Sequence, residues 1–280
     1  MGGGFLMFHG KRGRTPLIGP VGGLIQLHGS SSVDVTRPAR VTKSVALSGR
    51  VRSQRGPAPR REWDVQVGSA YPEHFQALQQ LEAGAYGPGP FVFYDEYAQV
   101  TNMLSPAQSG MGASAWTGGA QGGAGTASDG TRYLRSITTG IGETVSLVEP
   151  LAVPSGFPLT AAAYLSTHPA NSATLYVDEI DPEGALVGTH QATVGANQHA
   201  KRAVVSIKTS VRTVAIRLRV VGALMTTLPS VTLTDKAMPW AHGAGCPTVT
   251  FDLSGHAVLK AVAHPNGRRA SYSMTVHELG

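Results

Sequence analysis

Almost nowhere does this chain run far enough without a turn residue to build a long helix. Its 280 residues include 35 Gly and 18 Pro, set between short β-prone runs, where they supply the backbone angles of tight turns and disfavour helix interiors. From Phe5 to Val67 four such runs follow one another: FLMF, VGGLIQL, VTKSVALSGRV and EWDVQV. In the last, Trp63, Val65 and Val67 alternate with Glu62, Asp64 and Gln66, the period of two of a half-buried strand. One stretch has helical spacing, PEHFQALQQLEA at Pro72–Ala83. It has Pro in the first turn, Glu73 near the positive helix end and Gly84 placed to terminate it, and Phe75, Leu78 and Leu81 form an apolar face for a sheet. A Gly-Pro-Gly-Pro turn then leads into an aromatic run, Phe91 to Tyr97, with the composition of a strand.

Between Ser105 and Gly130 the residues become small and glycine-rich, with Asp129 the one charge, as in a linker or irregular loop, and a domain boundary is expected here. Eight strand-like runs follow, at 132–138, 143–149, 159–166, 173–180, 185–194, 202–208, 211–220 and 230–234, a spacing that suggests a jelly-roll sandwich. In the seventh, Val214, Ile216, Leu218 and Val220 make an inner face and Arg217 and Arg219 an outer one. The closing runs TVTFDL, HAVLKAVA and RASYSMTVHE form a meander, the last two joined by a His-Pro-Asn-Gly turn. A meander is too small to stand alone, so it should complete a sheet begun upstream. The expected architecture is all-β. Residues 1–108 begin a β-sandwich domain with one short helix, 109–238 form an inserted jelly-roll patterned like carbohydrate-binding modules, and 239–280 return to complete the first domain.

Little in the chain points to catalysis. It has no nucleophile-elbow, P-loop, dinucleotide-binding or zinc-ligand spacing, so it is read as a non-enzyme with no cofactor and no metal. The acidic run Asp178-Glu179-Ile180-Asp181-Pro182-Glu183-Gly184 offers hard oxygen donors but lacks the glycine and terminal glutamate of an EF-hand loop; a strand ending in a turn accounts for it. The single cysteine, Cys246, excludes an intrachain disulfide, and the opening MGGGFLMFHGKRGR holds no apolar core of signal-peptide length. With no apolar run of membrane-spanning length either, a protein made in the cytoplasm and without a membrane partner is expected.

Two features suggest contacts. The formal charge is +6, and no acid interrupts the span from Asp34 to Glu62, which carries Arg37, Arg40, Lys43, Arg50, Arg52, Arg55, Arg60 and Arg61. No nucleic-acid motif accompanies these cations, so sequence-specific nucleic-acid binding is not expected; a solvated loop and a contact with an acidic neighbour both remain open. Arg50, Arg52, Arg55, Arg60 and Arg61 are the candidate assembly contacts. Among the aromatic residues near the middle domain (Trp116, Tyr133, Tyr164 and Tyr176), Trp116 and Tyr133 are the candidate sugar platform, with core packing as the alternative.

Three passages together resemble the distal-tail and minor tail proteins of long-tailed phages, especially those of high-GC Gram-positive hosts. REWDVQVGSAYPEHFQALQQLEAGAYGPGPFVFYDEYAQVTNMLSP is similar to their run of strand, helix, Gly-Pro turn and aromatic–Asp–x–x–Ala–x–Val–Thr–Asn. MPWAHGAGCPTVTFDL resembles their return into the first domain, and SYSMTVHELG their closing strand. The resemblance covers roughly two-fifths of the chain and implies a virion protein at the tail tip. There a β-sandwich would close into a ring, of six copies rather than three, joining tube to tip or baseplate beside the tape-measure and other tip proteins. It carries over no catalytic residue. A host cell-wall polysaccharide is the further candidate partner, for the inserted domain.

Overall fold

The computed structural model describes residues 14–28, 30–36, 41–45, 48, 50–55, 60–70, 72–259 and 269–279. The FLMF run and the His-Pro-Asn-Gly turn lie outside them. The chain divides into two compact units, each assembled from separated segments: Met1–Leu24 with Val92–Pro247, and Ile25–Phe91 with Thr248–Gly280. These divisions fall after residues 24, 91 and 247, where turn composition had suggested 108 and 238.

The first unit is built on a two-sheet sandwich. Its principal strands, in chain order, are Ser136–Thr138, Thr144–Leu147, Pro158–Thr167, Ala173–Ile180, Leu186–Val194, Lys201–Lys208, Ala215–Val221 and Ala223–Thr232. One sheet takes them in the order sixth, third, eighth, first, and the other fifth, fourth, seventh, second. That is the paired Greek-key order of a jelly roll, as the strand spacing suggests. Alternation sets the core: Leu159, Ala161, Ala163 and Leu165 from one sheet meet Leu175, Val177, Leu218 and Val220 from the other, all buried.

Two expectations about this unit are corrected. The aromatic run after the Gly-Pro turn is a strand only over Phe91–Tyr94, because the Asp95 carboxylate accepts the Ala98 N–H at 2.6 Å and caps the helix Glu96–Thr101. The glycine-rich stretch is no linker. It supplies the helix Pro106–Ser109, with a Ser105–Gln108 capping box, and the strands Trp116–Thr117 and Ala120–Gly122, one added to each sheet. Its glycines serve close approach: at Gly118 and Gly119, both at positive φ, a Cβ would fall 2.0 and 2.4 Å from the Thr144 and Thr138 carbonyl oxygens.

In the second unit, the strand Arg269–Glu278 pairs on one side with Cys246–Leu259 and on the other with Glu62–Ala70, which in turn pairs with Ser30–Thr36. TVTFDL and the start of HAVLKAVA are thus one strand with a register shift between Ser254 and Ala257, and Ser30–Thr36 is a strand that the run-by-run pattern misses. One face carries Trp63, Val65, Val67, Tyr272, Met274 and Val276, all buried. The helix Pro72–Glu82 belongs to this unit and buries Leu78 and Leu81, each contributing about 2 kcal/mol. Its Phe75 ring lies 5.4 Å from that of Tyr272. The helix ends as expected, with Gly84 at φ +78° donating to the Leu81 carbonyl. The hairpin Val41–Val45 with Val51–Arg55 forms a two-stranded sheet of its own.

Candidate functional site

Both residues expected to offer a sugar platform are buried. Trp116 is 5% exposed, and its indole N–H donates to the Gln108 carbonyl at 2.8 Å. Tyr133 packs with Tyr164 and Leu228, its hydroxyl 3.4 Å from the Met225 sulfur. Neither ring has a free face, because in a small sandwich an aromatic ring gains more from burial than from solvent.

The candidate arginines divide. Arg50 and Arg60 are exposed, while Arg52 and Arg55 lie on the hairpin strand Val51–Arg55, with side chains outside the described residues. Arg61 is not part of a solvated loop. It is buried, its guanidinium donates to both Glu278 carboxylate oxygens at 3.0 Å, its backbone N–H donates to the same group at 2.8 Å, and it stands 4.9 Å from the Trp63 ring centre. A paired, stacked arginine of this kind fastens the closing strand to its own sheet.

Asp178, Glu179 and Asp181 of the acidic run are satisfied internally. Asp178 pairs with Arg219 at 3.1 Å and accepts from Thr189 at 2.9 Å. Glu179 is buried and accepts from the Thr213 hydroxyl, the Ser210 N–H at 2.8 Å and His190 at 2.7 Å. Burial opposes its charge, yet these donors outweigh burial and hold the carboxyl below its ordinary value. Asp181 closes the following turn by accepting from Glu183 and Ala185 N–H groups, and it pairs with Arg212 at 3.1 Å. No group of three or more His, Cys, Asp or Glu side chains suited to a metal occurs among the described residues.

Two sheet faces remain open. On the sandwich, Thr174, Tyr176 and Asp178 face outward beside Thr189, Gln191 and Thr193 on one neighbouring strand and Arg217 and Arg219 on the other. The Arg219 guanidinium lies over one face of the half-buried Tyr176 ring, 4.3 Å from its centre, within an aromatic and hydrogen-bonding strip. The sequence contains Tyr176, but only the register reveals that it is the ring on the open face.

On the second unit, the face opposite Trp63 and Val65 is acidic. Asp34 stands directly across from Asp64, Asp64 from Thr275, and Thr275 from Asp252. In the adjoining row, His277 lies 3.4 Å from Glu62 and 3.3 Å from Asp252. All four carboxylates are exposed, and among the side chains the structure describes no Lys or Arg pairs with any of them. Like charges directly opposite on neighbouring strands destabilise a sheet; Asp34 and Asp64 stand in that relation, and Asp64 accepts from the Thr275 hydroxyl at 3.1 Å.

The polar residues of the Tyr94–Asn102 motif have structural duties. Gln99 donates to the Thr15 carbonyl at 2.7 Å. The fully buried Asn102 amide donates to the Pro229 and Ala241 carbonyls and accepts from the Leu104 and Val231 N–H groups, satisfying all its capacity.

These features define a nearly all-β protein whose jelly-roll sandwich belongs to a unit interleaved in sequence with a second, sheet-and-helix unit. No protein-family model matches the chain, and no curated protein matches it in sequence. Solved structures of similar fold include the enzymatically active domain of tailspike protein 4 of bacteriophage CBA120, at 10% identity and TM-score 0.38, over 48% of this chain and 21% of that one. The CBM22-1–GH10 modules of Clostridium thermocellum endo-1,4-beta-D-xylanase 10B are similar at 13% identity and TM-score 0.33, over 45% of this chain and 27% of that one. A carbohydrate-binding module of the beta-sandwich superfamily is similar at 9% identity and TM-score 0.31, over 78% of this chain and 92% of that one. The chain thus spans well under two-thirds of the first two. No helix among the described residues is long and apolar enough to cross a membrane.

Proposed function

We propose that this protein is a structural subunit of a phage tail tip, in which copies close into a ring, six rather than three, between the tail tube and the distal tip or baseplate. Its partners are then other copies of itself, the tube, the tape-measure protein and neighbouring tip proteins, and it acts in the virion without catalysis. One observation carries this reading. Three separate passages that resemble distal-tail proteins contribute the adjacent strands Glu62–Ala70, Arg269–Glu278 and Cys246–Leu259, the first more than 160 residues from the other two in sequence. Native mass spectrometry and negative-stain microscopy of the purified chain test it. Closed rings of one stoichiometry are expected, and a monomer at every concentration contradicts the reading.

The Tyr176 strip favours a second role for the same subunit, binding of a host cell-wall polysaccharide by the sandwich. The face of the Tyr176 ring that Arg219 leaves uncovered, with Gln191 and Asp178 beside it, suits a sugar, which presents an apolar face edged by hydroxyls. Tyr176→Ala should abolish retention on purified cell wall while leaving folding intact; unchanged retention refutes this role.

A further inference from the structure

We propose that the sandwich face around Tyr176 takes an acidic polysaccharide, one whose sugar rings carry carboxylates, and that Arg217 selects it. This inference rests on the sugar-binding reading of the Tyr176 strip and names the charge of its ligand. The strip sets two arginines against one acid: Arg217 and Arg219 on Ala215–Val221, and Asp178 on Ala173–Ile180. Register puts Arg217 directly across from Asp178 and Arg219 across from Tyr176, so the pairing expected of nearest neighbours is Arg217 with Asp178. The structure pairs them otherwise. Asp178 takes the Arg219 fork, Nε at 3.1 Å and Nη2 at 3.3 Å, and its Oδ1 also accepts from the Thr189 hydroxyl at 2.9 Å.

Arg217 is left over. It is exposed, and among the described residues its guanidinium has no ion pair or hydrogen bond. The other outward groups of the two neighbouring strands, Thr174, Thr189, Gln191 and Thr193, are uncharged. Position matters as much as sign. Arg217 is the diagonal neighbour of Tyr176, a separation of about 7–8 Å that a long side chain spans. A uronic-acid ring carries its carboxylate at the ring edge. Stacked on the face of Tyr176 that Arg219 leaves uncovered, such a ring directs that group along the sheet toward a neighbouring strand. There a planar guanidinium meets it with two parallel hydrogen bonds. A phosphate linking two sugars lies between rings instead of at their edge, and a neutral sugar leaves the guanidinium to water.

The test measures binding of the full chain to polygalacturonate, to the same polymer with its carboxylates methyl-esterified, and to phosphorylated dextran. The acid form should bind roughly tenfold more tightly than the ester, as one charge-assisted pair of hydrogen bonds gives. Arg217→Gln should bring that ratio close to one with the wild-type circular dichroism. Arg135→Gln, which removes an exposed arginine beside the strand Ser136–Thr138 of the other sheet, should leave the ratio as it is. Tyr176→Ala should weaken acid and ester alike. An unchanged ratio in Arg217→Gln, an equal fall in Arg135→Gln, or a wild type that prefers the ester or the phosphorylated polymer overturns the acidic class and leaves the sugar-binding reading standing. A wild type that binds none of the three also overturns the acidic class, and retention of Tyr176→Ala on purified cell wall then decides the sugar reading by itself. Acid and ester binding that both survive Tyr176→Ala overturn the two together.

Discussion

Two acidic regions of the molecule treat charge in opposite ways. On the sandwich, each acid of the 178–181 run has a local counterpart: Asp178 has Arg219, Glu179 has Thr213, Ser210 and His190, and Asp181 has Arg212. On the second unit, Asp34 stands directly across from Asp64, and among the described side chains no Lys or Arg pairs with either. In the sandwich the balanced charge stabilises the strand end and the turn that follows it. On the other sheet, like charges directly opposite each other on neighbouring strands cost stability.

Substitutions break or sharpen this contrast to different degrees. The largest effect is expected from Trp116→Ala, which empties a core site and should cost about 4 kcal/mol in denaturant unfolding; a near-neutral result would return Trp116 to the surface. Glu179→Ala should follow at about 3 kcal/mol, since it strands buried donors. The sign of its pH dependence is set by a carboxyl held below its ordinary value of 4.5. The stabilisation is fully present above that value and is lost as pH falls through the lower folded-state value. Glu179→Gln should therefore flatten the acid limb of the stability profile.

Arg61→Ala should cost about 2 kcal/mol by freeing the closing strand from Glu278 and Trp63, which is more than an exposed assembly arginine would give. Smallest, and opposite in sign, Asp34→Asn with Asp64→Asn should stabilise the isolated chain by about 0.5 kcal/mol. A loss of stability there would mean that the acidic face is already compensated within the chain.

Periodicity made the jelly roll legible, because Leu159 to Leu165 and Val214 to Val220 alternate around a core, and it made the helix legible from Phe75, Leu78 and Leu81. It misread the 105–130 stretch, where glycine looks the same to composition whether it loosens a loop or, as at Gly118 and Gly119, admits a neighbouring carbonyl. Asp95 was hidden for a related reason: a cap is one residue, and the aromatic residues around it resemble a strand. The candidate surfaces were the least legible. Asp34 and Asp64 lie 30 residues apart in sequence, and only strand register makes them opposite neighbours, as only register turns Tyr176 outward and Trp116 inward.

Immunogold microscopy of intact phage particles, with antibody against this chain, tests the central claim most directly. The account predicts gold confined to the distal end of the tail. Unlabelled particles, with the chain free in the lysate, would contradict it.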